Sequence, residues 1–487
     1  MESLSGLDAA FLYLESDTIP MHIGGVAIVE GSLDYHTFVE FIEQRVHIVP
    51  RLRQKLVSVP MGIDRPYWVD DPDFDLQRHI RHETLAKPGG WQELRQLASD
   101  IFSGQIERDK PLWEFVFVSG VDSIAQVPQG SIALISKIHH AGFDGKSGAD
   151  LMSMLFDISP KPHSVAPEEE NVGSPEAPGN LGLLGRSAVN WVTRPGKIPG
   201  LIWDAGKAAL KASYLTRFEG IKPPTLPFSA PKSILNGVVE RERKWDSAVL
   251  ELHRVKALRR GVKGASLNDA VLAICAGAIR KYLLEKDQLP DESIVAMVPV
   301  STRTEDEKNA MGNQVAAMYV QLATEIADPM ERFRAIVANT KAEKRYQEAV
   351  DARSLMGFAE LIPFGLAGVA SRFYAKHALA KRHKPFFNLV ITNVPGPPVP
   401  VYLSGHKLLV NMGTAPVYDG MGLIIPVFSY ANTLSISPTS AANIMPDMNM
   451  FARYLRESAL ELEELVEQRV RAFAALNALI SNEEQHL

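Results

Sequence analysis

Two adjacent imidazoles, His139 and His140, precede the carboxylate of Asp144, four residues past His140, and the backbone freedom of Gly145. The run His139-His140-Ala141-Gly142-Phe143-Asp144-Gly145 fits the pattern HHxxxDG. An imidazole is the side chain best suited to take up and return a proton near neutral pH. A general base works only when held in a fixed geometry against the hydroxyl or amine it deprotonates. The residues around the run supply that rigidity. The apolar stretch Ile132 to Ile138 reads as a strand leading in, and the amphipathic stretch Leu151 to Phe156 as a helix leading out. Neighbouring residues on a strand point to opposite faces, so the two histidines are expected to do different jobs, one facing a cleft and one a core.

Two competing chemistries fit less well. Diverging rings, no HExxH run and a single cysteine speak against a metal site, and none is expected. Hydrolysis through an acyl-enzyme needs a nucleophile, and the chain has no G-x-S-x-G turn; Ser147 sits in Gly145-Lys146-Ser147-Gly148. Direct attack of an acceptor on an activated acyl group needs only a base and an oxyanion donor. These contribute roughly a hundred- to ten-thousand-fold and on the order of a hundred- to a thousand-fold. Alignment of both substrates has to supply much of the rest.

The elements that would carry this chemistry fall into three stretches. Residues 1–158 read as an α/β unit, with a helix over Tyr35 to Val46 and strands at Trp113 to Val118 and Ile132 to Ile138. Residues 159–230 break the pattern. Pro160, Pro162, Pro167, Pro175 and Pro178 and the acidic run Glu168 to Glu170 predict a surface linker, followed by an amphipathic basic segment. Residues 231–487 form a second α/β unit. Ser266 and Asp269 mark a helix start, and the helix should reach Leu284. Ile294 to Val300, Val315 to Leu322, Phe387 to Thr392, Leu423 to Phe428 and Leu434 to Ser437 read as strands. Pro426 predicts an edge position or a bulge for the fourth of these. Leu462, Leu465, Val466, Val470 and Phe473 recur at helical spacing in the last long segment.

Composition bounds the rest. The 487 residues exceed one ordinary core, and 46% hydrophobic with 22% charged residues is the balance of a folded globular chain. A formal net charge of -6 without a basic block excludes nucleic acid as the main partner. Cys275, the only cysteine, rules out a disulfide within the chain and lies in an apolar helical context that predicts a core residue. The first residues lack a signal peptide's basic start and apolar core, and no run of about 18 apolar residues occurs. The expectation is a cytoplasmic protein, with peripheral contact at an inner membrane or lipid inclusion as the wider reading.

The HHxxxDG run resembles the signature of coenzyme-A-dependent acyltransferases of the chloramphenicol acetyltransferase and condensation-domain superfamily. Further runs narrow the likeness: Leu4 to Phe11, Met21 to Gly25, Pro50 to Arg53, Pro111 to Glu114, Asn268-Asp269, Pro299 to Arg303, Gly312-Asn313 and Asn393 to Pro397. In this order they resemble the bacterial wax ester synthase/diacylglycerol acyltransferase family over nearly the whole chain. The resemblance implies an α/β fold of two chloramphenicol-acetyltransferase-like sheet-and-helix domains with a tunnel at their interface. It implies transfer of a long fatty acyl group from acyl-CoA, a co-substrate rather than a cofactor, to diacylglycerol or a fatty alcohol. His140 would be the general base, His139 its support, and Asp144 a structural carboxylate paired with an arginine, for which Arg51, Arg53 and Arg303 are the candidates. Gly145 would shape the turn. Asn268 would polarise the carbonyl or position a substrate, against the alternative that it only caps its helix. Trp113, Asn393, Pro395 and Gly396 would contact substrate.

Two alternatives stay open from sequence: an acyltransferase for a phenolic or diol acceptor, and a non-catalytic lipid-binding module of the same fold. A buried acyl chain gains about 0.8 kcal/mol per methylene, so apolar walls should set chain selectivity. Pro111 to Trp113 and the run Met356 to Ala367 are candidate walls, with plain core as the alternative. Leu181 to Phe218 mixes Trp191 and Trp203 with Arg186, Arg194, Lys197, Lys207 and Lys211, which suits an anionic lipid surface or an interdomain helix. Acceptor, chain length and oligomeric state are not readable from the sequence.

Overall fold

The computed structural model describes residues 2–60, 64–143, 145–163, 229–301, 315–349 and 384–484. Asp144, Arg303, the expected linker from 164 on, the basic segment 181–218 and the apolar run 356–367 lie outside them. In the first half the order is β1 (Glu2–Ser3), α1 (Gly6–Leu14), β2 (His22–Val29), α2 (Tyr35–Glu43), β3 (Gln54–Val57), β4 (Tyr67–Asp70), β5 (Ile80–Thr84), α3 (Trp91–Ser103), β6 (Trp113–Ser119), β7 (Ile132–His139) and α4 (Gly145–Leu155). The second half continues with β8 (Arg243–Trp245), β9 (Ala248–Glu251), α5 (Leu252–Ala257), α6 (Leu267–Glu285), β10 (Val295–Ser301), β11 (Val315–Gln321), α7 (Pro329–Ala349), β12 (Leu389–Pro395), β13 (Tyr402–Leu403), β14 (His406–Thr414), β15 (Leu423–Tyr430), β16 (Thr433–Ile436), β17 (Thr439–Ala441) and α8 (Met448–Glu484).

Two large sheets organise these elements, and each carries helices. The first has the order β13-β14-β2-β7-β6-β5, antiparallel except for the β5–β6 pair. Along β7 the side chains alternate as a strand with both faces covered demands. Ile132, Leu134 and Ile138 join the core made with α2 and α4, while Ala133 and Ile135 join the core under α3. The second sheet follows β11-β10-β12-β15-β16-β9, with β17 bridging β15 and β8. Its one face packs on α6, α7 and α8. Its other face, through Met297, Val390 and Ile424, meets Phe11, Leu14, Ile19 and Met21 of the first half. The α1–β2 segment therefore lies between the sheets.

Chain order and sheet membership part company at one place. Residues 402–414 follow the second unit's strands in sequence, yet β14 pairs with β2 in the first sheet. An unpaired β2 would leave a row of backbone groups at a sheet edge, and β14 covers it. The division near residue 230 thus separates the chain but not the sheets. Trp245, just past that division, packs near Trp91 and Phe102 in the first half's core and donates from Nε1 to the Gly413 carbonyl at 2.9 Å.

Several local expectations are met for identifiable reasons. Ser266 and Asp269 form a reciprocal capping box at the start of α6. Cys275 is fully buried in that helix, and burial pushes its thiol up to about 12. Pro426 corrects the expectation of an edge strand, because β15 is interior and pairs on both sides. Its missing N–H falls where the neighbour changes from β17 to β16, so no ladder bond is lost there. The apolar stripe of α8 enters the core through Phe451, Leu455, Leu462 and Val466, while Val470 is 42% exposed.

Candidate active site

His139 is the last residue of β7, paired directly across from His22 on β2. His140 opens the turn that follows, with its N–H donating to the Met21 carbonyl at 2.9 Å. The turn continues through buried Ala141 and Phe143 into α4, which starts at Gly145. Gly142 faces the Trp68 ring, so closely that a Cβ there would lie 3.2 Å from it. The expected strand, turn and helix are all present.

The simple alternation argument does not hold across the pair, because the regular strand stops at His139. Both rings reach α1, at different turns. His140 stacks on Phe11 with centroids 3.8 Å apart and planes 9° from parallel. His139 places Nε2 3.3 Å from Glu15 Oε1, just past the end of α1. The jobs do differ. His139 is 1% exposed, and its Nδ1 accepts the Ala141 N–H at 3.1 Å. His140 is half-buried, and its Nδ1 is enclosed without a hydrogen-bond partner among the described residues. Burial lowers the His140 pKa to about 4, with His139 adding a smaller push in the same direction. The ring is neutral at any physiological pH, and Nε2 is left as the nitrogen able to act.

A buried charged cluster lies beside the pair. The Glu15 side chain is only 4% exposed and meets His139, His22 and Arg108. Burial alone would raise its carboxyl, but His139 and Arg108 outweigh that and hold it at about 2. His22 sits 3.6 Å from the same carboxylate, and burial lowers its pKa well below the usual range. Sequence reasoning assigned no role to Phe11, Glu15 or His22. Phe11 and His22 fell inside runs used only for family likeness. Glu15 gave no signal, since a single glutamate after a helix looks like any surface charge.

The remaining expected residues are spread out. Asn268 lies in the first turn of α6, where Ser266 and Asp269 do the capping. Its side chain makes no hydrogen bond among the described residues, so the helix start does not need it. Asn393 and Pro395 lie near the end of β12, followed by Gly396, whose N–H donates to the Ser429 carbonyl at 2.8 Å. A Cβ on Gly396 would strike the Phe428 ring. No hydrogen bond, ion pair or ring contact among the described residues joins Asn268 or Asn393 to His140. Trp113 is buried. It is 0% exposed, stacks on His79 at 4.4 Å, donates to the Leu52 carbonyl at 2.8 Å and belongs to the core made with α2 and α4, the environment that the plain-core alternative expects. Arg51 pairs with Glu2 and rests 4.8 Å above Trp68, the ring that faces Gly142. Arg53 lies 5.8 Å over Phe74. The arginine partner of Asp144 stays open, because Asp144 and Arg303 lie outside the described residues.

Comparison with known proteins bears on the family and the fold. Residues 4–271 match the wax ester synthase/diacylglycerol acyltransferase catalytic domain, and residues 311–463 match the corresponding C-terminal domain. A Mycobacterium tuberculosis protein provisionally named a diacylglycerol O-acyltransferase is 31% identical, covering 95% of this chain and 90% of its own length. A Mycobacterium bovis protein of the same provisional name is 29% identical over 96% of this chain and 100% of its own. The solved structure of the wax ester synthase/diacylglycerol acyltransferase from Marinobacter aquaeolei VT8 is 25% identical, with a TM-score of 0.69, covering 96% of this chain and 100% of that one. The starter condensation domain of rhizomide synthetase, at 15% identity and a TM-score of 0.52 over 96% of this chain and 95% of that one, shares the fold.

Proposed function

The chain belongs to the wax ester synthase/diacylglycerol acyltransferase family, and on that premise we propose that it moves a long fatty acyl group from acyl-CoA to the hydroxyl of diacylglycerol or of a fatty alcohol, with His140 as general base. The acceptor hydroxyl gives its proton to His140 Nε2 as its oxygen attacks the thioester carbonyl. The tetrahedral intermediate then collapses, and the imidazolium returns the proton to the departing thiolate. No covalent acyl-enzyme is required. Alignment of the two substrates between the sheets supplies the remaining rate.

The observation that carries this reading is the state of His140. It is half-buried, neutral, clamped by Phe11 on its face and by Met21 on its backbone, with one ring nitrogen enclosed. Asn268, not consumed by capping, is the proposed group that polarises the carbonyl or positions a substrate. Asn393, Pro395 and Gly396 are proposed to border the substrate path at the end of β12. Gly145, which opens α4, and Asp144 are proposed to shape the loop that carries His140.

Thiol release from a long-chain acyl-CoA, measured against diacylglycerol, a fatty alcohol and a short alcohol, tests the reading. Release with a long-chain acceptor supports it, and no release with any acceptor overturns it. The same reading places the protein in the cytoplasm, touching a membrane or lipid inclusion through residues 181–218. No helix among the described residues is long and apolar enough to cross a membrane. Liposome flotation with and without that segment tests the contact, and equal binding would remove it.

A further inference from the structure

Glu15 follows the last turn of α1, and the reaction as written does not use it. Its enclosed carboxylate is nevertheless gripped on both oxygens. Arg108 donates from Nε to Oε2 at 2.9 Å. On the other side the Met21 N–H reaches Oε1 at 3.4 Å, with His139 Nε2 at 3.3 Å and His22 Nε2 at 3.6 Å. Two of these connections continue to His140 by separate routes, and the Glu15 backbone adds a third that does not depend on its carboxylate. Met21, whose N–H meets Glu15, turns its carbonyl to the His140 N–H at 2.9 Å. His139, facing Glu15 through Nε2, accepts the Ala141 N–H on Nδ1 and so ties down the residue after His140. The Glu15 N–H donates to the Phe11 carbonyl at 3.2 Å, and Phe11 covers the face of the His140 ring. A ring whose Nδ1 accepts must carry its proton on Nε2, so the carboxylate also stands where that tautomer is favoured.

We propose that Glu15 is a positioning residue of the acyl-transfer site: its carboxylate fixes the His139 ring and the Met21 backbone, and through them the placement of His140. The proposal rests on His140 being the base. Arg108 holds the carboxylate from the outside, at the wall of a cavity of about 360 Å³ that Ser16, Asp17 and Gln105 also line. No hydrogen bond or ion pair among the described residues joins Glu15 to the His140 side chain, so its loss shifts the base without removing it. A misplacement of about 1 Å costs on the order of a hundredfold in rate.

Steady-state kinetics on the full chain decide the matter, using acyl-CoA and the acceptor that the unaltered protein turns over fastest. Glu15→Gln should lower kcat about ten- to a hundredfold, leave KM for both substrates within about twofold, and keep the thermal midpoint. Glu15→Asp, which keeps the charge on a shorter stem, should recover part of the loss. A kcat for Glu15→Gln within about twofold of the unaltered protein overturns the proposal, as does a KM rise that matches the fall in kcat. Should Glu15→Gln fail to fold, Arg108→Lys at a 52% exposed side chain gives the reading: a several-fold drop in kcat at constant KM is expected, and no drop overturns the idea. An unaltered protein that releases no thiol with any acceptor removes the acyl-transfer reading itself, which keeps the two failures distinct.

Discussion

An enclosed imidazole nitrogen without a partner costs a folded protein on the order of 1–3 kcal/mol, and among the described residues His140 Nδ1 has none. Its retention makes sense if the ring is kept for chemistry rather than stability. Replacing His140 by Ala should lower kcat/KM for acyl transfer about a hundred- to ten-thousand-fold while the circular dichroism spectrum stays native. Only the neutral ring can accept a proton. With its pKa held at about 4, kcat/KM should rise as pH increases through about 4 and be level from pH 6 to 8. A rising limb centred near the ordinary value of about 6.5 would contradict the buried, neutral assignment.

At the scale of elements, the site depends on how closely β2 lies between β7 and β14. A Cβ at Gly25 would collide with the Met412 carbonyl oxygen, and one at Gly24 with that of Ser136. Gly25→Ala should therefore part the central strands and abolish soluble expression, checked by yield and circular dichroism. The far end of α4, the helix that follows the histidine turn, is fastened differently. Arg45 grips Asp157 with both terminal nitrogens, at 3.2 and 2.9 Å, and the pair is almost fully enclosed. Asp157 also exchanges two backbone hydrogen bonds of 2.8 Å with Tyr402 on β13. Asp157→Ala strands the guanidinium and should cost about 3–5 kcal/mol in urea unfolding, whereas exchanging both residues for apolar ones of similar size should cost far less. Ser266→Ala, which removes one half of the α6 capping box, should cost about 1 kcal/mol by the same measurement.

At the scale of the molecule, His140, His79 and His22 share one direction among the described residues. Burial lowers His140 and His79 to about 4 and lowers His22 well below the usual range. The unfolded chain binds protons at these positions that the folded chain refuses. Their contribution to stability is fully present above about 6.5 and is lost as pH falls toward 4. The thermal midpoint should therefore fall steadily between pH 6.5 and pH 4, with Glu15 adding a further loss only below about 4.5 as its carboxyl titrates toward 2. A midpoint that stays flat down to pH 4 would mean these rings are solvated. The same enclosure puts α1 between the two sheets, so the base and its supports sit at their junction.

Local chemistry was legible in the chain. The strand before the histidines, the helix after them, the Ser266 cap and the buried Cys275 all depend on neighbours within a few residues, and periodicity or capping chemistry reports those directly. The HHxxxDG run and the ordered family motifs likewise named the reaction class. Contacts between distant segments decided the rest. Glu15 became a buried partner of His139 only because α1 folds beside β7, and Trp113 proved to be core only once His79 stacked upon it. Residues 402–414 entered the first sheet because β2 needed a neighbour there. Side-chain spacing along a chain carries no record of which remote backbone will arrive alongside, so these assignments had to wait for the tertiary structure.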